Sequence, residues 1–420
     1  MSKKSDKHIG TYIDLFSGCG GLSLGLGNAG WKGLFAIEKD AMAFETFKHN
    51  MIDGDYAHFE WPSWLPQKET TIQKLLKTHR GELKRLSGSV DLIAGGPPCQ
   101  GFSLAGMRDA KDSRNKLSRE YIKMVEIIRP KYILLENVRG FNSSFKSDVK
   151  SKKVPYSEIV KKAIEKLGYK VTTTFLNSAD FGVPQSRVRF IMMGIRDDLP
   201  EIDQSPFEEL TLFRNEFLKG KGLPDRHISV KEAISDLEIY KKGAKLVSHS
   251  GSEKSGFKKL DFSPPKRPTS YQRLMSNQLG NIKPNSLRIA RHKPSTIEKF
   301  KLIQKICRPG HSLSDDEKEL VGTKKQSICV LNEKKPSRTL TTLPDDILHY
   351  SEPRILTVRE SARIQSFPDS FKFRGKYTTG GQVRTKECPR YTQVGNAVPP
   401  LMAEALGLLV KGVSEGNKNG

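Results

Sequence analysis

Short apolar runs alternate with helical stretches between residue 11 and about residue 195, and this alternation constrains the fold more than any other feature. Helices are expected between the runs, for example at 119–128 and 156–166. Strands that alternate with helices form β-α-β units, in which the strands lie parallel. The pattern therefore predicts an α/β fold with a mostly parallel sheet. The predicted strands are TYIDLF, GLFAI, VDLIAG, KYILLEN and RFIMMGI.

The second half of the chain reads differently. From about residue 199 to 335 it is rich in Pro, Lys and Ser, with short predicted helices at 228–242 and 295–306. Regular structure returns at 357–367 and at 396–413, where a Pro-Pro pair opens an apolar helix. Because 420 residues exceed most single cores, two units are expected.

The charge of the chain points to a polyanionic partner. Lys and Arg number 71 against 47 Asp and Glu, a net charge of +24. Residues 251–310 hold 14 Lys and Arg against 3 Asp and Glu, a net charge of +11. Such an excess makes nucleic acid the first candidate, although a solvated face or a flexible linker has the same composition.

Other classes are disfavoured by the residues present. No window reaches the roughly 18 to 20 uninterrupted apolar residues of a membrane span, and Asp14 and nearby glycines interrupt any signal sequence, so a cytosolic protein is expected. The five cysteines are odd in number and lack CxxC spacing, so neither a disulfide framework nor a metal site is indicated. Each is by default a buried, inert thiol.

Three clusters could carry chemistry. In residues 11–26 a strand, three glycines and a helix follow one another, which suits a nucleotide-like ligand. Glu38 ends the next strand, where it could accept hydrogen bonds from a ribose. In residues 90–103 a strand leads through Gly-Gly-Pro-Pro to Cys99. Glu136 follows the strand in residues 131–140 and could donate a proton if burial raises its pKa.

The chain contains, in this order, the segments DLFSGCGG, GGPPCQGFS, ENVRG, QSRVRF, RESARIQSFPD and QVGNAVPP. Read in order, these segments resemble the motifs of the cytosine-C5 DNA methyltransferases. The similarity spans about 90% of the chain in the unpermuted order of motifs. It implies a Rossmann-like, S-adenosylmethionine-dependent methyltransferase sheet with a smaller, irregular DNA target-recognition domain.

The resemblance assigns a role to each catalytic residue. It implies that Cys99 adds to C6 of cytosine, since an added thiolate makes C5 nucleophilic. Glu136 would contact N3 and the 4-amino group. Arg187 and Arg189 match the family's arginine pair, with Arg189 the better match for the contact with the base carbonyl; phosphate binding or a surface ion pair is the ordinary alternative for both.

The implied methyl donor is S-adenosylmethionine. Glu38 would bind its ribose, and Pro98, Asn396 and Val398 would border the same pocket. The C-terminal helix is expected to return to the N-terminal sheet beside the glycine turn. The residues of that turn, which would surround the methionine and the adenosine, are Phe16, Ser17, Gly18, Cys19, Gly20 and Gly21.

The resemblance also implies a substrate and a domain division. Double-stranded DNA would be the substrate, with the cytosine swung out of the helix, and the basic segment 104–119 would close over it and is expected to be poorly ordered without DNA. A catalytic domain is expected at 1–198 plus 390–420. A recognition domain is expected at 199–389, organised by the helix at 357–367.

Two positions depart from the family pattern. Ser361 stands where many relatives have Cys, which is expected to be neutral. The acidic residue that contacts adenine has no clean match, because Asp53, Asp55 and Glu60 compete for it.

Three other readings are weighed against DNA methylation. They are a tRNA methyltransferase of the same fold, a non-catalytic DNA-binding protein and a Rossmann dehydrogenase. Retention of Cys99, Glu136 and Arg189 favours DNA methylation. A stand-alone enzyme of this kind resembles a bacterial or phage modification methylase, a nucleoid-associated cytoplasmic monomer that would share its site with a cognate restriction endonuclease.

Overall fold

The structure is a computed structural model that describes residues 9–98, 115–143, 154–200, 205–240, 243–249, 256–280, 282–379, 383 and 386–419. Two compact units divide the chain. The first unit comprises Met1–Asn177, Val188–Arg214 and Met402–Gly420, and the second comprises Ser178–Arg187 and Asn215–Leu401. The main boundaries therefore fall at 214/215 and 401/402, whereas the sequence placed them at 198/199 and 389/390.

The first unit is built on a mixed sheet that has six strands within the described residues. Its order is β2-β1-β3-β4-β6-β5. The first four strands pair in parallel, and β6 pairs antiparallel with both β4 and β5. The α/β architecture is thus confirmed. The strands are β1 (Thr11–Leu15), β2 (Lys32–Ile37), β3 (Leu92–Gly95), β4 (Tyr132–Val138), β5 (Tyr169–Asn177) and β6 (Val188–Arg196).

Strand β5 was not among the predicted strands. Its sequence, YKVTTTFLN, alternates buried and exposed positions along most of its length. It lies at the edge of the sheet, so one face meets solvent and a polar side chain suits every second position. The predicted strands were those with continuous apolar runs, which are typical of strands buried on both faces. An edge strand such as β5 needs apolar side chains on one face only, so it lacks such a run.

Helices cover the sheet because their apolar residues recur at helical spacing. On α5, Tyr121, Met124, Val125 and Ile128 are all fully buried, and the spacing i, i+3, i+4, i+7 places them on one face. They join the core formed with the strands. The helices before residue 221 are α1 (Gly21–Asn28), α2 (Ala41–Met51), α3 (Ile72–Thr78), α4 (Arg80–Arg85), α5 (Asn115–Ile128), α6 (Tyr156–Glu165) and α7 (Pro206–Gly220).

The second unit consists of short elements. The helix expected at 228–242 is shorter than predicted: α8 ends at Ile234 and a 3-10 turn follows at Ser235–Leu237. Arg363 Nη1 lies 2.7 Å from the Asp236 carboxylate of this turn and donates to the Ala233 carbonyl at 3.0 Å, the carbonyl that residue 237 would use in a continued helix. The remaining elements are α8 (Val230–Ile234), α9 (Ser270–Ser276), α10 (Pro294–Ile306), α11 (Asp315–Leu320), α12 (Val358–Ile364), α13 (Arg390–Asn396), α14 (Pro400–Asn419), β7 (Leu246–Ser248), β8 (Lys258–Leu260), β9 (Cys329–Val330) and β10 (Ile347–Leu348).

The C-terminal helix α14 packs in the first unit, as expected. Trp31 Nε1 donates to the Gly407 carbonyl at 2.9 Å, and a Cβ at Gly407 would lie 2.8 Å from Ala29 Cβ. Within the described residues, Arg390–Gly416 is the one helical stretch long and apolar enough in composition to cross a membrane. Because 72% of its most apolar window is buried inside the protein, it has the burial of a core helix.

Candidate active site

The turn between β1 and α1 has an unusual backbone. Phe16, Gly18 and Gly20 have φ angles of 63°, 56° and 99°. The left-handed region costs a non-glycine residue such as Phe16 about 1–2 kcal/mol, and such strain concentrates at functional sites. Gly20 caps α1 without a side-chain hydrogen bond. No capping side chain at Gly20 therefore competes with an outside acceptor for the N-terminus of α1.

Glu38 links the end of β2 to this turn. Its Oε2 accepts from Gly18 N at 3.0 Å, and its Oε1 accepts from Asp40 N at 2.8 Å. Burial raises the pKa of Glu38, although these backbone donors act in the opposite direction. Each carboxylate oxygen keeps a further lone pair, so Glu38 can hold the turn and still accept from ribose hydroxyls.

Two side chains of the turn have contrasting roles. Ser17 is 7% exposed, and its hydroxyl has no hydrogen-bond partner among the described residues. A buried polar group without a partner is costly, so this hydroxyl is suited to a ligand. Cys19 is also buried, and burial raises the pKa of its thiol to about 12, which keeps it protonated and unreactive.

An ion pair lies at the end of β4. Arg189 Nε is 2.9 Å from Glu136 Oε1, and the two side chains are only 8% and 12% exposed. The antiparallel register places Val138 of β4 opposite Arg189 of β6, which brings the guanidinium back along the strand to the carboxylate. The structure thus brings together two residues that lie 53 positions apart in the sequence.

The loop after β3 runs beside this pair. A Cβ at Gly95 would lie 2.4 Å from the Leu15 carbonyl oxygen, and one at Gly96 would lie 3.0 Å from Glu136 Oε2. Position 95 therefore requires glycine, and a side chain at position 96 would have to displace the Glu136 carboxylate slightly. Asn137 directly follows Glu136 but was not among the predicted site residues; it donates through Nδ2 to the Pro97 carbonyl at 3.1 Å.

The nucleophile itself lies outside the described residues. Pro98, which is half-buried, is the last described residue of the loop, and the next described residue is Asn115. Cys99 and residues 104–114 of the basic segment 104–119 thus lie outside the description. The described part of the loop leads toward Cys99 from a point beside Glu136.

Arg187 has a different environment from Arg189. It is buried in the second unit, where Nη2 donates to the Gly395 carbonyl at 2.9 Å and Nη1 donates to the Leu340 carbonyl at 3.3 Å. These contacts are with the backbone. Asn396, in the same segment as Gly395, is exposed, whereas Val398 is buried.

Helix α12 organises the second unit through buried arginines. Arg354 forms two hydrogen bonds of 2.7 Å with Glu360, which also completes a capping box with Thr357. Burial alone would raise the pKa of Glu360, but the Arg354 guanidinium holds it below its usual value. Arg363 pairs with Asp369 at 2.7 Å. Each charge is compensated, as burial requires.

The three acidic candidates for the adenine contact are all exposed. Asp53 pairs with Lys48, and Glu60 pairs with Lys32. Asp55 is also exposed. The segment that does reach Glu38 begins at Thr70, whose N–H donates to the Glu38 carbonyl at 2.7 Å. Thr70 contacts Glu38 through its backbone, so no acidic side chain marks this neighbour in the sequence.

The second unit also carries a basic surface. Lys259 of β8 lies opposite Arg288, which is only 8% exposed, and Lys259 lies near enough to the Asp261 carboxylate to help lower its pKa. The Arg288 guanidinium lies 3.7 Å from the centre of the Tyr377 ring and 4.2 Å from that of Phe257. Lys258 and Arg291 beside them are exposed.

Known proteins resemble this chain over nearly its whole length. The type II methyltransferase M.DdeI of Desulfomicrobium norvegicum is 33% identical over 94% of this chain and 86% of its own. The type II methyltransferase M1.HphI of Haemophilus parahaemolyticus is 30% identical over 94% and 85%. A crystal structure described as a DNA modification methyltransferase encoded within an E. coli prophage has a TM-score of 0.63, covers 98% of this chain and 99% of its own, and at 23% identity supports the fold alone.

The family model for C-5 cytosine-specific DNA methylases matches residues 10–411. Together with the ordered motifs and the geometry of the Glu136 site, this match leads to one conclusion: the chain belongs to the C-5 cytosine-specific DNA methylase family.

Proposed function

We propose that this protein transfers a methyl group from S-adenosylmethionine to C5 of a flipped-out cytosine within a short, specific sequence of duplex DNA. The observation that carries the proposal is the Glu136–Arg189 ion pair, held beside the Gly96–Pro97 loop that leads to Cys99. A paired carboxylate and guanidinium beside the loop that continues in sequence to Cys99 suit covalent activation of a pyrimidine.

Cys99 supplies the nucleophile. Its thiolate forms a bond to C6, and the C5–C6 π electrons move toward C5, which thereby becomes nucleophilic. Glu136 contacts N3 and the 4-amino group, where a proton compensates the charge that the attack adds to the ring. Arg189 holds the Glu136 carboxylate in place and binds the base carbonyl. After methyl transfer a base takes the C5 proton, and the bond between C6 and the Cys99 sulfur breaks.

The glycine turn holds the methyl donor. The buried hydroxyl of Ser17 has no described partner, and Glu38 keeps lone pairs for ribose hydroxyls, so the residues present fit the cofactor. S-adenosylmethionine supplies an electrophilic methyl group when it is bound. Phe16, Gly18 and Gly20 shape the turn, and Cys19 and Gly21 complete it. Pro98, Asn396 and Val398 contact the donor, as their match to the family motifs implies.

The second unit recognises DNA. Its basic residues bind phosphates, which fixes the register of the protein on the duplex, and its loops read base edges in the major groove. The exposed cations Lys258 and Arg291 of this unit are available to that backbone.

The biological role is modification of host DNA in a restriction-modification system. The support for this is the similarity to two type II methyltransferases over at least 85% of their length. The enzyme acts as a monomer at the nucleoid in the cytoplasm, and a cognate endonuclease cuts the same site when it is unmethylated.

Bisulfite sequencing tests the proposal. Unmethylated plasmid is incubated with protein and S-adenosylmethionine, with Cys99→Ala as the matched control. We expect 5-methylcytosine at one short recurring sequence with the wild type and none with Cys99→Ala. Methylation of tRNA instead of plasmid, or activity retained by Cys99→Ala, would contradict it.

A further inference from the structure

A chain of buried hydrogen bonds holds residues 395–401, which join the end of α13 to the start of α14. Leu340 N donates to Gln185 Oε1 at 2.8 Å. Gln185 Nε2 donates to Gln365 Oε1, and Gln365 Nε2 donates to the Ala397 carbonyl at 2.6 Å. Three hydrogen bonds therefore join Leu340 to Ala397 through two side chains.

The direction of this chain is determined by its ends. A backbone N–H can only donate and a carbonyl can only accept, so the Leu340 end and the Ala397 end together determine the orientation of both amides. Gln185 and Gln365 are both 0% exposed. Water cannot replace a bond that is lost there, so every member of the chain depends on the others.

Two further side chains act on the same segment. Arg187 binds the carbonyl oxygens of Leu340 and Gly395. Ser366, whose φ is 65°, accepts from Leu401 N through its hydroxyl at 3.1 Å. We call the side chains of Gln185, Arg187, Gln365 and Ser366 the polar bracket.

The bracket leaves little freedom to the residues between its contacts. It fixes the segment at the carbonyls of Gly395 and Ala397 and at the N–H of Leu401. Gly395 is further confined, because a Cβ there would lie 2.4 Å from the Thr341 carbonyl oxygen. Asn396 lies between two of these fixed points, and Val398 follows the second.

We propose that the polar bracket positions Asn396 and Val398 for the methyl donor, and that Arg187 belongs to it rather than to the groups that touch the base. The proposal rests on the proposed function, in which Asn396 and Val398 contact S-adenosylmethionine. A segment that is already ordered does not lose conformational entropy when the ligand binds. The bracket therefore contributes to donor affinity without touching the donor.

Calorimetric titration of the full chain with S-adenosylmethionine, without DNA, tests this role. Gln365→Met keeps the size of the side chain and removes both hydrogen bonds, and it should raise the Kd about tenfold, or about 1.4 kcal/mol. The matched control is Gln272→Met, since Gln272 is also buried and bonded, to Thr269 and Ser235. It should lower the Tm and leave the Kd unchanged.

A double variant separates hydrogen bonding from packing. In Gln185→Glu/Gln365→Lys the new carboxylate still accepts from Leu340 N, and the new ammonium can donate both to that carboxylate and to the Ala397 carbonyl. We expect it to bind the donor more tightly than either single variant. Equal or weaker binding by the double variant would assign the glutamines to packing alone and overturn the proposal.

Ser366→Ala provides a milder test should Gln365→Met fail to fold. It removes one acceptor, so the Leu401 amide should exchange hydrogen faster and the donor Kd should rise about threefold. Faster exchange with an unchanged Kd would overturn the positioning role and leave the proposed function intact. Absence of donor binding by the wild type would instead contradict the proposed function itself.

Discussion

Glu136 and Arg189 form a buried ion pair, with 2.9 Å between Oε1 and Nε, at a site where two strands run in opposite directions. Removing one partner of a buried pair leaves an uncompensated charge, whereas an amide in place of the carboxylate keeps a hydrogen bond. The two residues should therefore respond differently to substitution.

We expect Arg189→Ala to lower the free energy of unfolding by about 3 kcal/mol and Glu136→Gln to lower it by about 1–2 kcal/mol, because the amide keeps a hydrogen bond to the guanidinium but leaves its charge uncompensated. Both variants should lower kcat by about 100-fold or more, because each loses charge stabilisation at the base. Urea unfolding and single-turnover methylation assays measure the two effects. A negligible stability loss in both variants would argue against the ion pair as the stabilising contact.

Replacing Gly95 or Gly81 by alanine should change the stability of the protein in opposite directions. A Cβ at Gly95 would meet the Leu15 carbonyl oxygen at 2.4 Å, so strands β1 and β3 must separate. Gly81 lies on helix α4 with nothing within 4 Å of the added Cβ. Gly95→Ala should destabilise the protein by about 2 kcal/mol or more, and Gly81→Ala should stabilise it by up to about 1 kcal/mol, as thermal unfolding would show.

Asp14 should make stability depend on pH. Burial raises its pKa to about 7, with a contribution from Glu38, although Ser23 Oγ donates to it at 2.6 Å. The folded carboxyl keeps its proton up to about pH 7, whereas the unfolded one loses it near its usual pKa of about 4. The unfolded state then binds fewer protons, so stability falls as the pH rises from about 4 to about 7 and levels off above.

Asp14→Asn removes this titration. Its free energy of unfolding in urea should fall less than that of the wild type between pH 5 and pH 7.5, since no carboxyl at that position loses a proton on unfolding. Asp53→Asn, which changes an exposed carboxylate, serves as the control and should follow the wild type. If the free energy of unfolding fell equally with pH in Asp14→Asn and in the wild type, Asp14 would be excluded as the titrating group.

The cysteines should react unequally with iodoacetamide at pH 8. Burial raises the pKa of Cys19 to about 12 and that of Cys329 to about 11, so neither carries a useful thiolate fraction. We expect native protein to be labelled at Cys99 and not at these two residues, as mass spectrometry of the peptides would show. Protein unfolded in urea should be labelled at all five cysteines. Labelling of native Cys19 ahead of Cys99 would contradict the assignment of the nucleophile.

Lys258 and Arg291 should each contribute to the salt dependence of DNA binding. Every phosphate contact adds about 0.9 to the slope of log Kobs against log salt concentration. Lys258→Ala and Arg291→Ala should each lower the slope by about that amount, on cognate and unrelated duplexes alike. Lys77→Ala, an exposed lysine on α3, should leave it unchanged. An unchanged slope in both Lys258→Ala and Arg291→Ala would place the DNA elsewhere on the protein.

The sequence alone determined the class of the fold and the identity of the chemically informative residues. Continuous apolar runs marked β1 to β4 and β6, because strands buried on both faces need apolar side chains throughout. Glycines marked the turn after β1, since only residues tolerant of positive φ suit it. Ordered motifs marked Cys99, Glu136, Arg189 and Glu38, because their chemistry depends on residue type and local spacing.

Tertiary structure decided the rest. The antiparallel pairing of β6 with β4, which brings Arg189 to Glu136, depends on which strands meet, and local sequence does not encode that pairing. The edge position of β5 explains its polar alternation. Arg187 and Arg189 stand two positions apart in one motif, yet one binds backbone carbonyls and the other a carboxylate. Residue type specifies what a side chain can bind, but only long-range packing selects the partner that it meets.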